Sequence, residues 1–290
     1  MKGVRELKRR LKGVQNIRKI TKAIELVAST KLRRLQERAA ATRPFANQLA
    51  AMMKRVAGGA DPSASPLLRA HDSVTIVAIL VVAGDKGLCG SYNSNVFRTA
   101  IPVVRALIAE GKKPHLFVMG RRAATYFAKV KDVEVSWVYP DPVEKIDFAA
   151  VKRLARDFMD GFVAGRFHEV RVVYTSLRTA TSFRPLCQGV LPVPKPEANS
   201  EAAADYILEP EGQVILDRIL PRFVEMQLFA AILESLAAEF ASRRIAMKSA
   251  TDNAGDMISS LSKEYNKARQ SGITAELLEI SGGAEAVRGT

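Results

Sequence analysis

The chain has 290 residues, 48% of them hydrophobic and 26% charged, with a formal net charge of +14 and two cysteines. Cys89 and Cys187 lie far apart without a CxxC spacing, which argues against a disulfide framework or zinc site and for a reducing compartment. No apolar run approaches the ~18 residues of a membrane span, and Met1 leads straight into a charged segment, so an unexported chain is expected, one that meets a membrane only as a peripheral partner.

The charge is lopsided. Residues 1–55 hold 16 Lys/Arg against Glu6, Glu25 and Glu37, a local excess of +13, which predicts a polyanionic or acidic-protein partner. Residues 1–57 read as one basic amphipathic helix, with Val4, Leu7, Leu11, Val14, Ile17, Ile20, Ile24, Val27 and Leu35 at helical spacing. Pro44 is expected to kink it, and the run Gly58 to Ser63 to end it.

Residues 73–193 change character. Ser73–Ala83 is a nearly continuous Val/Ile/Leu run, as expected of a buried parallel strand. Helix, strand, helix, strand, helix and strand follow over Asn95–Glu110, Pro114–Met119, Arg121–Lys129, Val133–Tyr139, Asp147–Ala164 and Glu169–Tyr174. A last extended stretch covers Thr181–Leu191. This alternation predicts a small Rossmann-like α/β domain with a mostly parallel sheet. Pro192–Glu201 reads as a linker.

The last third, 208–286, predicts a long helix with Pro221 bending its first turns. From Gln213 to Ile280, small or apolar residues repeat in one 4–3 pattern: Ile219, Phe223, Met226, Ala230, Leu233, Ala237, Phe240, Met247, Ala254, Ile258, Leu261, Tyr265 and Ala268. Arg244 and Thr251 interrupt it. A helix of that length extends about 100 Å and must pack on another long helix or inside another protein. The simplest way to bury both terminal seams is an antiparallel coiled coil carrying the α/β domain on its side.

Chemical sites are scarce. Gly84-Asp85-Lys86-Gly87-Leu88-Cys89-Gly90 follows the first strand, where phosphate loops sit, but its spacing matches neither the dinucleotide fingerprint nor the triphosphate loop. It reads as a tight exposed turn, with Asp85 and Lys86 available to a partner. His71, His115 and His168 have no paired spacing. Cys89 near a helix start has the setting of a mildly reactive thiol, but no catalytic constellation surrounds it. Carboxylates such as Glu239, Asp252 and Asp256 are expected to stay exposed on the long helix.

The run Glu239-Phe-Ala-Ser-Arg-Arg-Ile-Ala-Met-Lys-Ser-Ala-Thr-Asp-Asn-Ala254 resembles the C-terminal signature of the gamma subunit of F-type ATP synthases. So do Tyr265-Asn-Lys-Ala-Arg-Gln-Ser-Gly-Ile-Thr-Ala-Glu276, Glu279-Ile-Ser-Gly-Gly-Ala284 and, near the start, Ile20-Thr-Lys-Ala-Ile-Glu-Leu-Val-Ala-Ser-Thr-Lys-Leu-Arg-Arg34. Gly84 to Asn93 is similar to that family's central glycine loop. The resemblance implies a non-catalytic central-stalk rotor, without cofactor or small-molecule substrate. It would turn inside a 3:3 hexamer of alpha and beta subunits, one copy per hexamer, with epsilon and the membrane c-ring as further partners. It further implies that Arg269 and Gln270 contact a beta-subunit loop, that Thr274 and Glu276 couple functionally to the first helix around Ile24, and that Lys86 is a further beta contact. Tyr206 and Glu209 would meet the membrane ring. Position 24 is more often Met in the family, and Ile24 is expected to serve as an apolar substitute. With no presequence before Met1, a bacterial protein is expected, peripheral on the cytoplasmic side of the plasma membrane.

A basic coiled-coil protein that binds nucleic acid is the competing reading. Residues 1–55 contain a single aromatic, Phe45, and no docking motif, which argues against it.

Overall fold

A computed structural model describes residues 2–57, 65–131, 133–177, 179, 182–194 and 212–288. The elements are α1 (Lys2–Ala57), β1 (Ile76–Val82), α2 (Tyr92–Ala109), β2 (Lys113–Met119), α3 (Arg121–Phe127), β3 (Val135–Val138), α4 (Phe148–Val163), β4 (Glu169–Leu177), β5 (Phe183–Leu191) and α5 (Gly212–Arg288). Both terminal helices run through their internal prolines, Pro44 and Pro221. The chain divides into two compact units, one of Ser29–Arg243 and one of Met1–Ala28 with Arg244–Thr290.

The larger unit is built on a five-stranded sheet in the order β3-β2-β1-β4-β5. β1 pairs in parallel with β2 and β4, β2 in parallel with β3, and β5 lies antiparallel to β4. β1 is buried along nearly its whole length, which is why it reads as unbroken Val/Ile/Leu rather than as an alternation. Val77, Ile79 and Val81 form one core with α2 and α3 through Val96, Val104 and Phe127. The other face is covered by α4, whose Phe158 packs edge-on against Phe117 at 4.9 Å between centroids. α4 begins where Asp147 accepts a hydrogen bond from the Ala150 N–H at 2.7 Å, satisfying one of the orphan donors of the first turn.

Within this unit α5 is buried on more than one side. From Val224 to Arg243 nearly every residue is buried, not only the 4–3 seam. A second stripe, Leu216, Leu220, Val224, Leu228, Ser235 and Ala238, is fully enclosed, and Ala238 belongs to the sheet's core. The expected seam faces α1, where Lys31 lies over Phe240 and Arg38 over Phe229, so the two helices run antiparallel.

The smaller unit is the antiparallel pairing of the other two helix halves. The Thr251 hydroxyl donates to Thr21 Oγ1 at 2.8 Å, and Arg18 lies alongside Gly255. The α5 seam runs as predicted through Met247, Ala254, Ile258, Leu261, Tyr265 and Ala268. Thr251 belongs to it, 7% exposed, with its hydroxyl also 2.8 Å from Met247 O. On α1 the predicted stripe is wrong in part, since Ile17, Ile20 and Val27 are more than half exposed. The true seam follows a heptad through Leu7, Leu11, Val14, Arg18, Thr21, Glu25 and Ala28. Polar residues on the seam hid its register: Thr21 bonds across it, Arg18 lies against a glycine, and Glu25 pairs with Lys22 at 3.1 Å.

Candidate functional site

In a sheet of this order ligands bind outside the carboxyl ends of the strands, at the point where the order reverses. Here that point lies between β1 and β4. It is filled by the chain's own α5. Ser235 Oγ donates to Val82 O at 3.4 Å and accepts from the Thr175 N–H at 3.1 Å, with the Tyr92 hydroxyl 2.8 Å away. One hydroxyl proton and two acceptor sites are all used when the Tyr92 hydroxyl is the donor. Burial, then the Glu239 carboxylate, holds the Tyr92 phenol well above its ordinary range, so it keeps its proton.

The glycine loop is consumed the same way. The Gly84 N–H, which a phosphate would need, donates to Asn93 Oδ1 at 2.9 Å, and Asn93 Nδ2 donates to Lys86 O at 3.3 Å. Asp85, expected to face a partner, instead accepts from the Arg121 N–H at 3.1 Å and the Val143 N–H at 2.9 Å. From α5, Ser242 donates to Cys89 O at 2.6 Å and Arg243 Nη2 to Gly87 O at 3.3 Å. Gly120 lets the loop close: its φ is +97°, and a Cβ there would sit 2.2 Å from Ala83 O. Only Lys86 and Leu88 project from the loop, and Leu88 has a left-handed φ of 59°.

Glu239 overturns the expectation of an exposed carboxylate. It is 5% exposed, pairs with Arg243 at 2.6 Å and lies against Gly84. Burial raises its carboxyl above the usual range, opposed by the Arg243 guanidinium. Thus Arg243, rather than the half-buried Arg244, is the deeply buried cation of this stretch. Cys89 is likewise no reactive thiol: it is enclosed, and burial together with Glu239 pushes it up. His71 and His168, which have no paired spacing, meet with ring centroids 4.9 Å apart. His168 Nδ1 accepts from the Thr75 N–H at 3.0 Å, tying the start of β4 to that of β1. Ninety-odd intervening residues leave no sequence signal for that contact. Among the described residues no cluster of three or more His, Cys, Asp or Glu is placed to hold a metal, and no helix is long and apolar enough to cross a membrane.

The remaining candidates are surface residues. Arg269, Gln270, Thr274 and Glu276 are exposed on the last third of α5, with Thr274 Oγ1 donating to Gln270 O at 3.0 Å. Ile24 is half-buried on α1, one turn beyond Thr21, the partner of Thr251. Thr274 lies a further ~35 Å along α5 from Thr251, so Ile24 and the C-terminal group form separate surfaces. Beyond Gly272 the helix presents Ile273, Leu277, Leu278 and Ile280 at 50–69% exposure. The antiparallel register explains it: with Arg18 beside Gly255, α1 reaches its first turn near α5 position 271. Tyr206 and Glu209 lie outside the described residues.

Residues 3–287 match a family model described as ATP synthase. The ATP synthase gamma chain of Legionella pneumophila (strain Corby) is 37% identical over 292 residues, covering 99% of this chain and all of the relative. That of Geobacter metallireducens is 36% identical with both chains fully covered. A chain in the Euglena gracilis mitochondrial ATP synthase (OSCP/F1/c-ring, rotational state 3) superposes with a TM-score of 0.66 at 17% identity, covering 98% of this chain and 94% of its own. One in the Tetrahymena thermophila mitochondrial ATP synthase central stalk/c-ring gives 0.56 at 21% identity, covering 80% and 99%. At such identities the superpositions speak for the fold. With a crevice closed by the chain itself, a family model matched along nearly every residue and relatives covered end to end, this chain belongs to the ATP synthase gamma chain family.

Proposed function

We propose that this chain is the non-catalytic central-stalk rotor of an F-type ATP synthase, coupling ion flow through a membrane ring to the cycling of catalytic sites in neighbouring beta subunits. Residues 1–57 and 208–286 act as the paired stalk helices, and 73–193 as the α/β domain. The observation that carries this is the relation between the filled crevice and the bare helix end. The crevice between β1 and β4 is filled by α5, while α5 offers an unpaired apolar end, Ile273 to Ile280, that needs a protein around it.

One copy turns inside three alpha and three beta subunits. Arg269 and Gln270 engage a beta loop, Thr274, Glu276, Ile24 and Lys86 make further beta contacts, and Tyr206 and Glu209 face the c-ring. Epsilon binds alongside, and the complex sits peripherally on the cytoplasmic face of the plasma membrane. The exposed cations of α1 support a loose electrostatic fit, since exposed pairs are weak and screened.

The test mixes the full chain with alpha and beta subunits from the same source. Native mass should give a 3:3:1 complex whose ATP hydrolysis depends on this chain. Replacing Arg269 and Gln270 together by Ala should lower ATP-driven pumping in reconstituted membranes and leave the isolated chain folded. Unchanged pumping by that double variant sinks the assignment of those two residues, and failure to assemble sinks the rotor reading.

A further inference from the structure

Among the described residues, Leu88 is the one non-glycine with a left-handed backbone, at a φ of 59°, and it is 63% exposed. An exposed leucine by itself is ordinary. A strained one persists only where its surroundings over-determine it, and such residues gather at functional sites. A glycine would relieve the strain, as Gly90 does two residues on with a φ of 56°. The surroundings that hold Leu88 are consecutive residues of α5. The Ser242 hydroxyl donates to Cys89 O at 2.6 Å and Arg243 Nη2 to Gly87 O at 3.3 Å, so α5 ties down the carbonyls on both sides of it. Cys89 is enclosed in the sheet's core, and Asn93 Nδ2 donates to Lys86 O at 3.3 Å. The charge around the leucine is one-sided. Lys86 is exposed, and the exposed Arg122 lies against Gly87, its Nη2 2.7 Å from the position a Cβ there would take. The loop's carboxylate, Asp85, is occupied by the Arg121 and Val143 N–H groups.

We propose that Leu88 is the apolar anchor of this loop, seated in a beta-subunit hollow that is lined by apolar side chains and rimmed by carboxylates facing Lys86 and Arg122. Ser242 and Arg243 are its positioning residues. This rests on the rotor reading and deepens the contact assigned there to Lys86. A screened surface ion pair contributes little by itself, whereas burying a leucine contributes substantially. A lipid surface fits less well, because one leucine buries too little apolar area to hold there.

Leu88→Gly removes the anchor and the strain together, while Leu88→Met keeps an apolar side chain. Both are made in the full chain and studied alone and in the assembled synthase. In the isolated chain, the urea midpoint of Leu88→Gly should equal or exceed that of wild type. In reconstituted membranes, ATP-driven pumping should fall about fivefold for Leu88→Gly and stay within about twofold of wild type for Leu88→Met. Ser242→Ala should lower pumping less than Leu88→Gly, and adding it to Leu88→Gly should lower pumping no further, as expected of a residue that acts through the anchor. Wild-type pumping by Leu88→Gly in a complex that assembles would overturn the anchor and leave the rotor reading standing. A Leu88→Gly chain that unfolds at lower urea than wild type would make Leu88 a structural residue instead. A Ser242→Ala effect that adds in full to that of Leu88→Gly would overturn the positioning role. Failure of the wild-type chain to assemble would overturn the anchor and the rotor reading together.

Discussion

Ser235 and Tyr92 meet 2.8 Å apart in the core of the larger unit, one on α5 and the other at the first residue of α2. Because Ser235 also accepts from Thr175, its removal orphans two buried donors at once. Ser235→Ala should cost about 2–4 kcal/mol, whereas Tyr92→Phe, which leaves only an acceptor site unused, should cost about 1 kcal/mol. Urea denaturation of the full chain gives both numbers. A larger loss for Tyr92→Phe than for Ser235→Ala would refute the donor assignment.

Gly120 is the tightest point of the glycine loop's closure. An alanine there would need a left-handed φ of +97° and would drive its Cβ into Ala83 O. Strain of about 1–3 kcal/mol adds to a backbone clash that no side-chain rotation relieves, so Gly120→Ala should lower the unfolding midpoint sharply. Gly165→Ala has a similar φ of +72° but nothing within 4 Å of the new Cβ, and so should cost less. Equal losses for the two would mean that the clash is absorbed.

Glu239 makes stability depend on pH in a definite direction. Its carboxyl is raised from 4.5 in the folded chain, mainly by burial. The folded state therefore holds its proton to higher pH than the unfolded state, and the contribution is present below pH 4.5 and lost as pH rises through the folded value. Glu239→Gln cannot titrate. The stability of the variant relative to wild type should accordingly improve from about pH 4.5 towards neutrality, read by denaturation at each pH. A gap that stays flat or moves the other way would show that the Arg243 guanidinium outweighs desolvation.

Thr251 interrupts the apolar stripe in sequence yet sits on it in space, its hydroxyl 2.8 Å from both Thr21 Oγ1 and Met247 O. Valine keeps the shape and loses the hydroxyl, and Thr21 is only half-buried. Thr251→Val should change stability by about 1 kcal/mol or less, because the partner left behind can turn to water. A loss of several degrees in melting temperature would mean that the cross-helix bond holds the pairing together.

Most of the architecture was legible in the residues. Strand and helix alternate in pattern as they do in space, because β1 is apolar on both faces and α4 on one. The 4–3 stripe of α5 emerged from its spacing alone. Two things were not legible, for different reasons. On α1 the heptad runs through Arg18, Thr21 and Glu25, while Ile17, Ile20 and Val27, apolar and at helical spacing, face outward. On α5 the second stripe begins with Leu216, Leu220, Val224 and Leu228, but its continuation through Ala231, Ser235, Ala238 and Ser242 is small, and a small residue against a backbone looks in sequence like a residue facing nothing. That stripe buries Glu239 and fills the crevice, a consequence that motif spacing does not carry. The His71–His168 contact joins distant residues and follows only from the fold.

The crevice at Val82 and Thr175 also sets a timetable for synthesis. The hydroxyl that closes it belongs to a residue 153 positions after Val82. At about 5–20 residues per second, the ribosome takes roughly 8–30 s to add that stretch. During this interval β1 is already made, while the turn of α5 that carries Ser235 is not. Until Ser235 arrives, the Val82 carbonyl and the Thr175 N–H at the end of the sheet lack the hydroxyl that joins them in the finished chain.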